Sequence, residues 1–457
     1  MKRDRKTRER YKRLIKLSFA AVMLLGLCML YAVAWSGYYN KAILQMPFYR
    51  RGNWMMILIY GILLVFFMNT YGGFKIGYLK NGNLIYSQIM AVLFTNLVTY
   101  LQVAVIDRRL VNPAYLLPMT GLELIFIVVW TMIFQMVYRN MFPPRKMLFI
   151  EGDRKDYHLM DKINARDDKY QICEVVSYKK NLETIKKKME LYDAVVIGDM
   201  PSHERNLLLK YCYISGIRSY SVPKISDVLL RSSDELNLFD TPLLLSRNMG
   251  LSVDQEWMKR AEDIIVSLLM MILFSPIFVL AAVGIKCTDG GPIFYKQERL
   301  TKDGKIFMIY KFRTMIVDAE KKSGPVLASE HDPRILPVGR ILRATRLDEL
   351  PQILNILKGE MSVVGPRPER PDLAAEIEKD VPEFNYRLRV KAGLTGFAQV
   401  YGKYNTTFYD KLKLDLMYIR KYSLFLDLKL ILMTPKIMFL KESTEGVSQE
   451  LEYLNKK

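Results

Sequence analysis

The stretch Arg343–Glu369, RATRLDELPQILNILKGEMSVVGPRPE, decides how this chain is read. An adjacent Asp348–Glu349 pair stands ahead of Pro351 and an apolar run that ends near Gly359. Arg343 and Arg346 lie upstream, and Gly365-Pro366-Arg367-Pro368 makes a stiff turn downstream. The pattern predicts a helix with Asp348 at its start and a glycine at its stop. N-capping alone would account for Asp348. The same geometry also suits chemistry, because a carboxylate and a substrate phosphate both feel the positive end of a helix dipole. Arg343 and Arg367 would add bidentate phosphate contacts.

Outward from this stretch, further fragments carry basic or small residues at suggestive spacings. Gly291-Pro292-Ile293-Phe294-Tyr295-Lys296-Gln297 reads as a turn into a strand. Tyr310-Lys311-Phe312-Arg313-Thr314-Met315 reads as a strand with Lys311 and Arg313 on one face. Taken alone, that fragment reads better as a solvated strand face. Further on stand Val390-Lys391-Ala392-Gly393-Leu394-Thr395-Gly396-Phe397-Ala398-Gln399-Val400 and Leu414-Asp415-Leu416-Met417-Tyr418.

Composition points to a bilayer. The chain has 457 residues, is 51% hydrophobic, and still carries a formal net charge of +20. Such a mixture fits a membrane protein with basic cytoplasmic faces, and no nucleic-acid module is visible to claim the charge. Cys28, Cys173, Cys212 and Cys287 are scattered, as are His158, His203 and His331. A disulfide framework, a zinc site and a Ser-His or Cys-His nucleophile are therefore poorly supplied. Walker A and GxSxG sequences are absent. Carboxylate and arginine chemistry remains, and any metal would be a hard cation on oxygen ligands, Mg²⁺ above all.

The first sixteen residues hold nine Lys or Arg, and Leu17–Trp35 is almost wholly apolar. A signal peptide cleaved after Ala32-Val33-Ala34 is one reading. Three more membrane-length segments follow, Trp54–Tyr71, Leu84–Ile106 and Ala114–Tyr138, and favour a four-helix bundle over 1–144. Gln88, Asn96, Gln102 and Glu123 within it are expected to face neighbouring helices. Residues 145–250 alternate strand and helix patterns, with strands at Met147–Ile150, Ala194–Ile197 and Ile217–Val222, which predicts a small Rossmann-like α/β domain with a parallel sheet. Its first turn, Glu151-Gly152-Asp153-Arg154, lacks the glycines of a dinucleotide site. The third region, 251–457, opens with the apolar run Ile264–Ile285, interrupted by Ser275-Pro276. Basic flanks on both sides, Lys259 and Arg260 before and Lys286, Lys296, Arg299 and Lys302 after, predict a re-entrant helix broken at Ser275-Pro276. A kinked spanning helix is the alternative. Leu424–Leu440 reads as an interfacial helix.

These motifs together resemble the bacterial sugar transferases, the monotopic phosphoglycosyl transferases that begin exopolysaccharide, capsule and O-antigen synthesis. KFRTM after a Ser-Pro helix, LDELPQ, GPRP, GxTGxAQ and LDxxY occur in the same order there. The resemblance covers roughly 257–457 by motif and 1–250 by architecture alone. Gly402-Lys403-Tyr404-Asn405 departs from the Gly-Arg-Asn of many members, which bears on sugar or nucleotide preference.

The resemblance implies a membrane α plus α/β protein: a transmembrane bundle, a Rossmann-like middle domain, and a mixed α/β catalytic domain with re-entrant and interfacial helices. It implies transfer of sugar-1-phosphate from a UDP-sugar to polyprenyl (undecaprenyl) phosphate, with UMP released through an aspartyl phosphosugar on Asp348. Glu349 would hold Mg²⁺. Arg343, Arg367, Lys311, Arg313, Gln399 and Asp415 would bind phosphate or substrate. The expected setting is the bacterial inner membrane with the catalytic domain facing the cytoplasm. The expected partners are the UDP-sugar, the polyprenyl phosphate and the bilayer, not nucleic acid, with a homo-oligomer and downstream glycosyltransferases also open. A lipid-linked glycosyltransferase releasing UDP, and a non-enzymatic nucleotide-binding regulator, are the other classes.

Overall fold

The computed structural model describes residues 2–43, 47–153, 157–231, 233–238, 240–246, 250–317, 332, 334–403 and 406–438. His331, Tyr404, Asn405 and the end of the 424–440 run lie outside the described residues. The chain divides into two compact units, Met1–Lys224 and Ile225–Lys457.

The first unit begins with four long helices: α1 (Lys2–Ala34, continued by a π-helical stretch Trp35–Ile43), α2 (Arg51–Tyr71), α3 (Asn81–Ile106) and α4 (Leu116–Met141). All four are long and apolar enough to cross a membrane. They are apolar on both faces, as helices packed together and sheathed in lipid should be. Inward, Tyr31 stacks on Tyr60 with ring centroids 4.2 Å apart. Outward, Leu25, Met29, Leu58, Ile62, Ile125 and Met136 are exposed. The polar residues turn inward as expected: Tyr60 Oη donates to Glu123 Oε1 at 2.6 Å, and Asn96 Nδ2 to Glu123 Oε2 at 2.7 Å. Gln88 receives Thr131 Oγ1 at 2.8 Å, and Gln102 reaches Met56 Sδ at 3.7 Å.

An α/β layer follows: β1 (Arg145–Glu151), α5 (Tyr157–Asn164), β2 (Tyr170–Ser177), α6 (Leu182–Met189), β3 (Ala194–Ile197), α7 (Ser202–Ile214) and β4 (Arg218–Ser221). The sheet order is β2-β1-β3-β4, parallel throughout. β1 and β3 are buried runs of Met, Leu, Phe, Ile and Val, the composition a parallel sheet covered on both faces requires. Strand β2, absent from the sequence reading, hides its signal because it is an edge strand carrying Gln171 and Glu174. Gly152 has a packing reason: a Cβ there would stand 1.9 Å from the Asp199 carbonyl oxygen.

The second unit starts earlier than the expected boundary at 250. Helix α8 (Ile225–Arg231) buries Ile225 and Val228 in the same apolar cluster as Phe307, Ile356 and Leu416. A hairpin of β5 (Asp234–Leu238) and β6 (Thr241–Leu245) comes next. Helix α9 (Val253–Asp289) is opened by a Ser252/Gln255 capping box and closed by Gly290 in the left-handed region. It is helical without interruption through Pro276, so the expected break at Ser275-Pro276 is not a break in helical structure; Ser275 Oγ donates to the Ile272 carbonyl at 2.9 Å. Antiparallel strands β7 (Phe294–Leu300) and β8 (Ile306–Phe312) follow, then α10 (Pro337–Ala344), α11 (Gln352–Lys358), β9 (Ser362–Val364), α12 (Pro371–Asp380), β10 (Gly393–Thr395), α13 (Phe397–Tyr401), α14 (Phe408–Arg420) and α15 (Leu424–Met438). β10 lies parallel to β9.

Candidate active site

Between α10 and α11 the chain makes one 3₁₀ turn, Leu347–Glu349. Asp348 is therefore not the helix N-cap that the sequence pattern suggested; α11 starts at Gln352, with Pro351 in the cap position. Arg346, at φ 54°, takes the left-handed conformation that long side chains seldom adopt. That bend turns the chain out of α10 and presents Asp348 and Glu349 together. Leu350 and Ile353, buried just beyond, pack with Ala281, Ile285, Phe312 and Leu342 and anchor the turn.

The two carboxylates have different surroundings. Glu349 Oε1 accepts from Lys311 Nζ at 3.0 Å and from Arg367 Nη2 at 2.9 Å. Burial works against its charge, but these two cations outweigh it and hold the carboxyl far below the usual carboxylate range. Asp348 accepts no hydrogen bond among the described residues. Burial, helped by the neighbouring Glu349 charge, pushes it up to about 6, while Lys311, Arg343 and Arg367 pull the other way. Asp348 is thus partly buried, surrounded by cations and bonded to none. Arg346, beside both carboxylates, joins this cationic wall.

Arg367 is presented by a backbone that tolerates no side chains. A Cβ on Gly365 would lie 2.4 Å from the Lys391 carbonyl oxygen, and one on Gly393 would lie 2.0 Å from the Gly365 nitrogen. The approach is sealed by Gly365 N donating to the Thr395 carbonyl at 2.8 Å and Gly393 N to the Pro366 carbonyl at 2.9 Å. Helix α14 then secures both flanks of the turn from one face, because residues three apart are neighbours on a helix. Tyr418 Oη lies 3.2 Å from the Val364 carbonyl oxygen. Asp415 pairs with Arg387 at 2.9 Å, and Arg387 Nη2 donates to the Arg367 carbonyl at 2.9 Å. Burial pushes Asp415 up to about 6 despite Arg387. Deeper still, Lys259 pairs with Asp427 at 2.5 Å, Tyr418 donates to the same Asp427 at 2.9 Å, and Asp263 receives Ser362 Oγ and Val363 N at 2.8 Å.

The structure thus gathers Asp348, Glu349, Lys311, Arg343 and Arg367. Asp415 acts on the Arg367 turn through Arg387 and not on the carboxylates. Gln399 lies beside Gly396, its Nε2 donating to the Leu394 carbonyl at 3.3 Å and its Oε1 buried without a partner. Arg313 stands apart from the carboxylate pair: it binds both oxygens of Asp289, one at 2.6 Å, and the Pro292 carbonyl at 2.7 Å. One residue past the end of β8, it no longer follows the strand alternation that put it beside Lys311. Arg387, Lys259, Asp263 and Asp427 were missed by sequence reasoning. No local pattern marks them, since each acts on a partner distant in the chain.

An ionisable carboxylate pair inside a wall of arginine and lysine, in a domain that opens with a long apolar helix, is an arrangement suited to phosphate groups. Residues 254–441 match the family model for bacterial sugar transferase. The chain is 36% identical over 260 residues to the UDP-glucose:undecaprenyl-phosphate glucose-1-phosphate transferase of Klebsiella pneumoniae, covering 56% of this chain and 54% of that one. Identity is 34% over 249 residues, 53% and 58% of the two chains, to the UDP-N-acetylgalactosamine-undecaprenyl-phosphate N-acetylgalactosaminephosphotransferase of Aeromonas hydrophila. The Escherichia coli (strain K12) UDP-glucose:undecaprenyl-phosphate glucose-1-phosphate transferase is 37% identical over 202 residues, 43% and 42% of the two chains. The chain spans about half the length of these relatives.

Proposed function

We propose that this protein transfers a sugar-1-phosphate from a UDP-sugar to undecaprenyl phosphate. One observation carries the mechanism: Asp348 is left without a bonded donor beside a Glu349 whose Oε1 is held by two cations. At pH 7.5 an Asp348 that titrates near 6 is ionised, yet more basic than an ordinary aspartate, which suits a nucleophile. Its carboxylate oxygen attacks the phosphorus bearing the sugar, the bond to the UMP oxygen breaks, and UMP departs with that electron pair. A phosphate oxygen of undecaprenyl phosphate then attacks the same phosphorus and returns Asp348 to its free form. Arg343, Lys311 and Arg367 neutralise the charge that gathers on the diphosphate.

Mg²⁺ fits this donor set. Both cations bond Glu349 through Oε1, and Oε2 carries no bonded partner among the described residues. No group of three or more His, Cys, Asp or Glu is placed to share a metal among those residues, but Mg²⁺ commonly takes one or two carboxylates with the substrate phosphates completing its shell. Bound there, it would supply further charge neutralisation for the departing UMP. Glu349 itself orients Lys311 and Arg367.

The same reading places both ends of α9 on one face of the bilayer. A straight helix of 37 residues would be about 55 Å long, well beyond a hydrocarbon core of about 30 Å. Near its start, Arg260 donates to the Ile356 and Leu357 carbonyls at 2.6 and 2.7 Å. Toward its end, Ala281 and Ile285 pack in one cluster with Ile353 and Leu342 of the same domain. Its opposite side, Ile265, Leu269, Ile272, Leu273 and Leu280, is exposed and apolar. Cysteines introduced beside Lys259 and Lys302 of a cysteine-free variant should be labelled from the same side; labelling from opposite sides would remove the re-entrant reading.

The decisive experiment is incubation with UDP-glucose, UDP-galactose and UDP-N-acetylhexosamines without lipid. UMP should appear at about one equivalent of enzyme, and a peptide containing Asp348 should gain one phosphosugar. UDP as the released nucleotide, or UMP only when lipid is present, would displace this mechanism.

A further inference from the structure

The first unit holds a cluster of charge that the catalytic reading does not use. Where α1 and α4 end at the α/β layer, a pocket is lined by Glu9, Lys12, Gln135, Arg139, Arg145 and Lys169, with Tyr138, Phe142 and Gly77 beside them. The two carboxylates at its edge are already spent. Glu9 binds Arg145 and, at 2.6 Å, Arg218; Asp168 binds Arg166 at 2.8 and 2.9 Å. Among the described residues no carboxylate lies within ion-pair distance of Lys12, Arg139 or Lys169. The two lysines rest on aromatic faces instead. Lys12 lies 4.7 Å from the Phe142 ring centroid and Lys169 lies 4.5 Å from that of Tyr78, with Lys16 4.4 Å from the same Tyr78 ring. Burial is the main cause that pulls Lys169 below the usual lysine range.

Assembling this much like charge costs free energy that the Glu9 and Asp168 ion pairs and the aromatic contacts offset only in part. A second observation points to a ligand. Gln135 is 5% exposed, lines the pocket, and its Nε2 has no hydrogen-bond partner. A buried amide donor without an acceptor is uncommon. An anion with several acceptor oxygens would satisfy Gln135 and the surplus cations together.

The depth of the pocket selects the anion. Lys16 directly precedes the apolar run of α1, and Arg139 directly follows that of α4. Tyr138 and Phe142 lie at that boundary, where aromatic residues mark the headgroup level of a bilayer. We propose that this pocket binds the phosphate of an anionic membrane lipid headgroup, held by Lys12, Arg139, Arg145, Lys169 and the Gln135 amide. The site would tie the α/β layer to α1 and α4 through a lipid.

The test uses the full chain in neutral detergent, with thermal unfolding followed on adding phosphatidylglycerol, phosphatidylcholine, inorganic phosphate or UMP. Phosphatidylglycerol at tenfold over its Kd should raise the Tm by about 1.5 °C, and the others should not. Lys12→Gln/Lys169→Gln should lose the shift, whereas Arg10→Gln/Arg13→Gln, which removes the same charge from exposed positions, should keep it. Gln135→Leu, which leaves every charge in place, should weaken it several-fold, and native mass spectrometry of the wild type should show one retained phosphatidylglycerol. An equal shift from inorganic phosphate or UMP would make this a soluble-anion site and overturn the lipid assignment. Equal loss in the exposed-arginine variant would reduce it to general surface attraction.

Discussion

Two carboxylates withdrawn from solvent, Glu123 fully and Asp348 in part, are treated in opposite ways. Glu123, among the membrane-length helices, has both oxygens bonded, to Tyr60 at 2.6 Å and Asn96 at 2.7 Å. Asp348, in the second unit, has cations around it and no bonded donor among the described residues. A satisfied polar group inside a helix bundle stabilises the packing. A carboxylate left unsatisfied costs stability, a cost that the proposed role of Asp348 as nucleophile would explain. Burial alone therefore says little about role. The state of the hydrogen-bonding partners separates glue from chemistry.

The comparison breaks most visibly at Asp348. Asp348→Asn should cut turnover by at least 10³-fold with protein yield unchanged, read as UMP release under saturating UDP-sugar. If turnover stays within tenfold, Asp348 is not the nucleophile. Glu349→Gln should cost about 10²-fold, since it loosens both Lys311 and Arg367, and added Mg²⁺ should not restore it.

The pH profile sharpens the same contrast. With Asp348 near 6, kcat/KM should fall about tenfold per pH unit below that value as the nucleophile is protonated. Stability runs the other way. A carboxyl whose folded pKa is raised contributes stability that is full below its unfolded value near 3.8 and is lost as pH rises through about 6. Asp348→Asn should therefore unfold at or a few degrees above the wild-type Tm at pH 7.5, with the advantage gone at pH 4. A fall in Tm at pH 7.5 would mean that the charged form is structurally needed.

The smallest effect on activity belongs to the membrane carboxylate. Glu123→Ala leaves Tyr60 and Asn96 short of an acceptor and should destabilise the first unit by about 1–2 kcal/mol. Specific activity of the folded protein should stay within about twofold. A catalytic loss of tenfold or more at unchanged Tm would end the distinction drawn here.

Much of this was legible in the chain itself. Four apolar runs each long enough for a bilayer announce the helices of the first unit, because 20 residues of continuous hydrophobicity have few other uses. The buried strands Met147–Ile150 and Ala194–Ile197 announce a parallel sheet. Arg343, Asp348, Glu349 and Arg367 were singled out from residue type and order, Lys311 only through the family resemblance, and the structure brings the five together. Arg313 was misplaced by the strand alternation, since β8 ends at Phe312 and Asp289 claims the guanidinium. The helix cap assigned to Asp348 failed because Arg346 turns left-handed and a 3₁₀ turn intervenes.

What the sequence by itself determined is thus a membrane protein with a carboxylate and arginine site, for these follow from local composition and short-range order. Only the tertiary structure decided which of two adjacent carboxylates is bound and which is free. That choice depends on Lys311 and Arg367, 38 and 18 positions away, arriving within 3 Å. It also decided that α8 packs with the second unit, that glycines Gly365 and Gly393 serve a close backbone approach, and that Arg387 links Asp415 to the Arg367 turn. Such facts are distances between residues remote along the chain, and no local propensity encodes a distance.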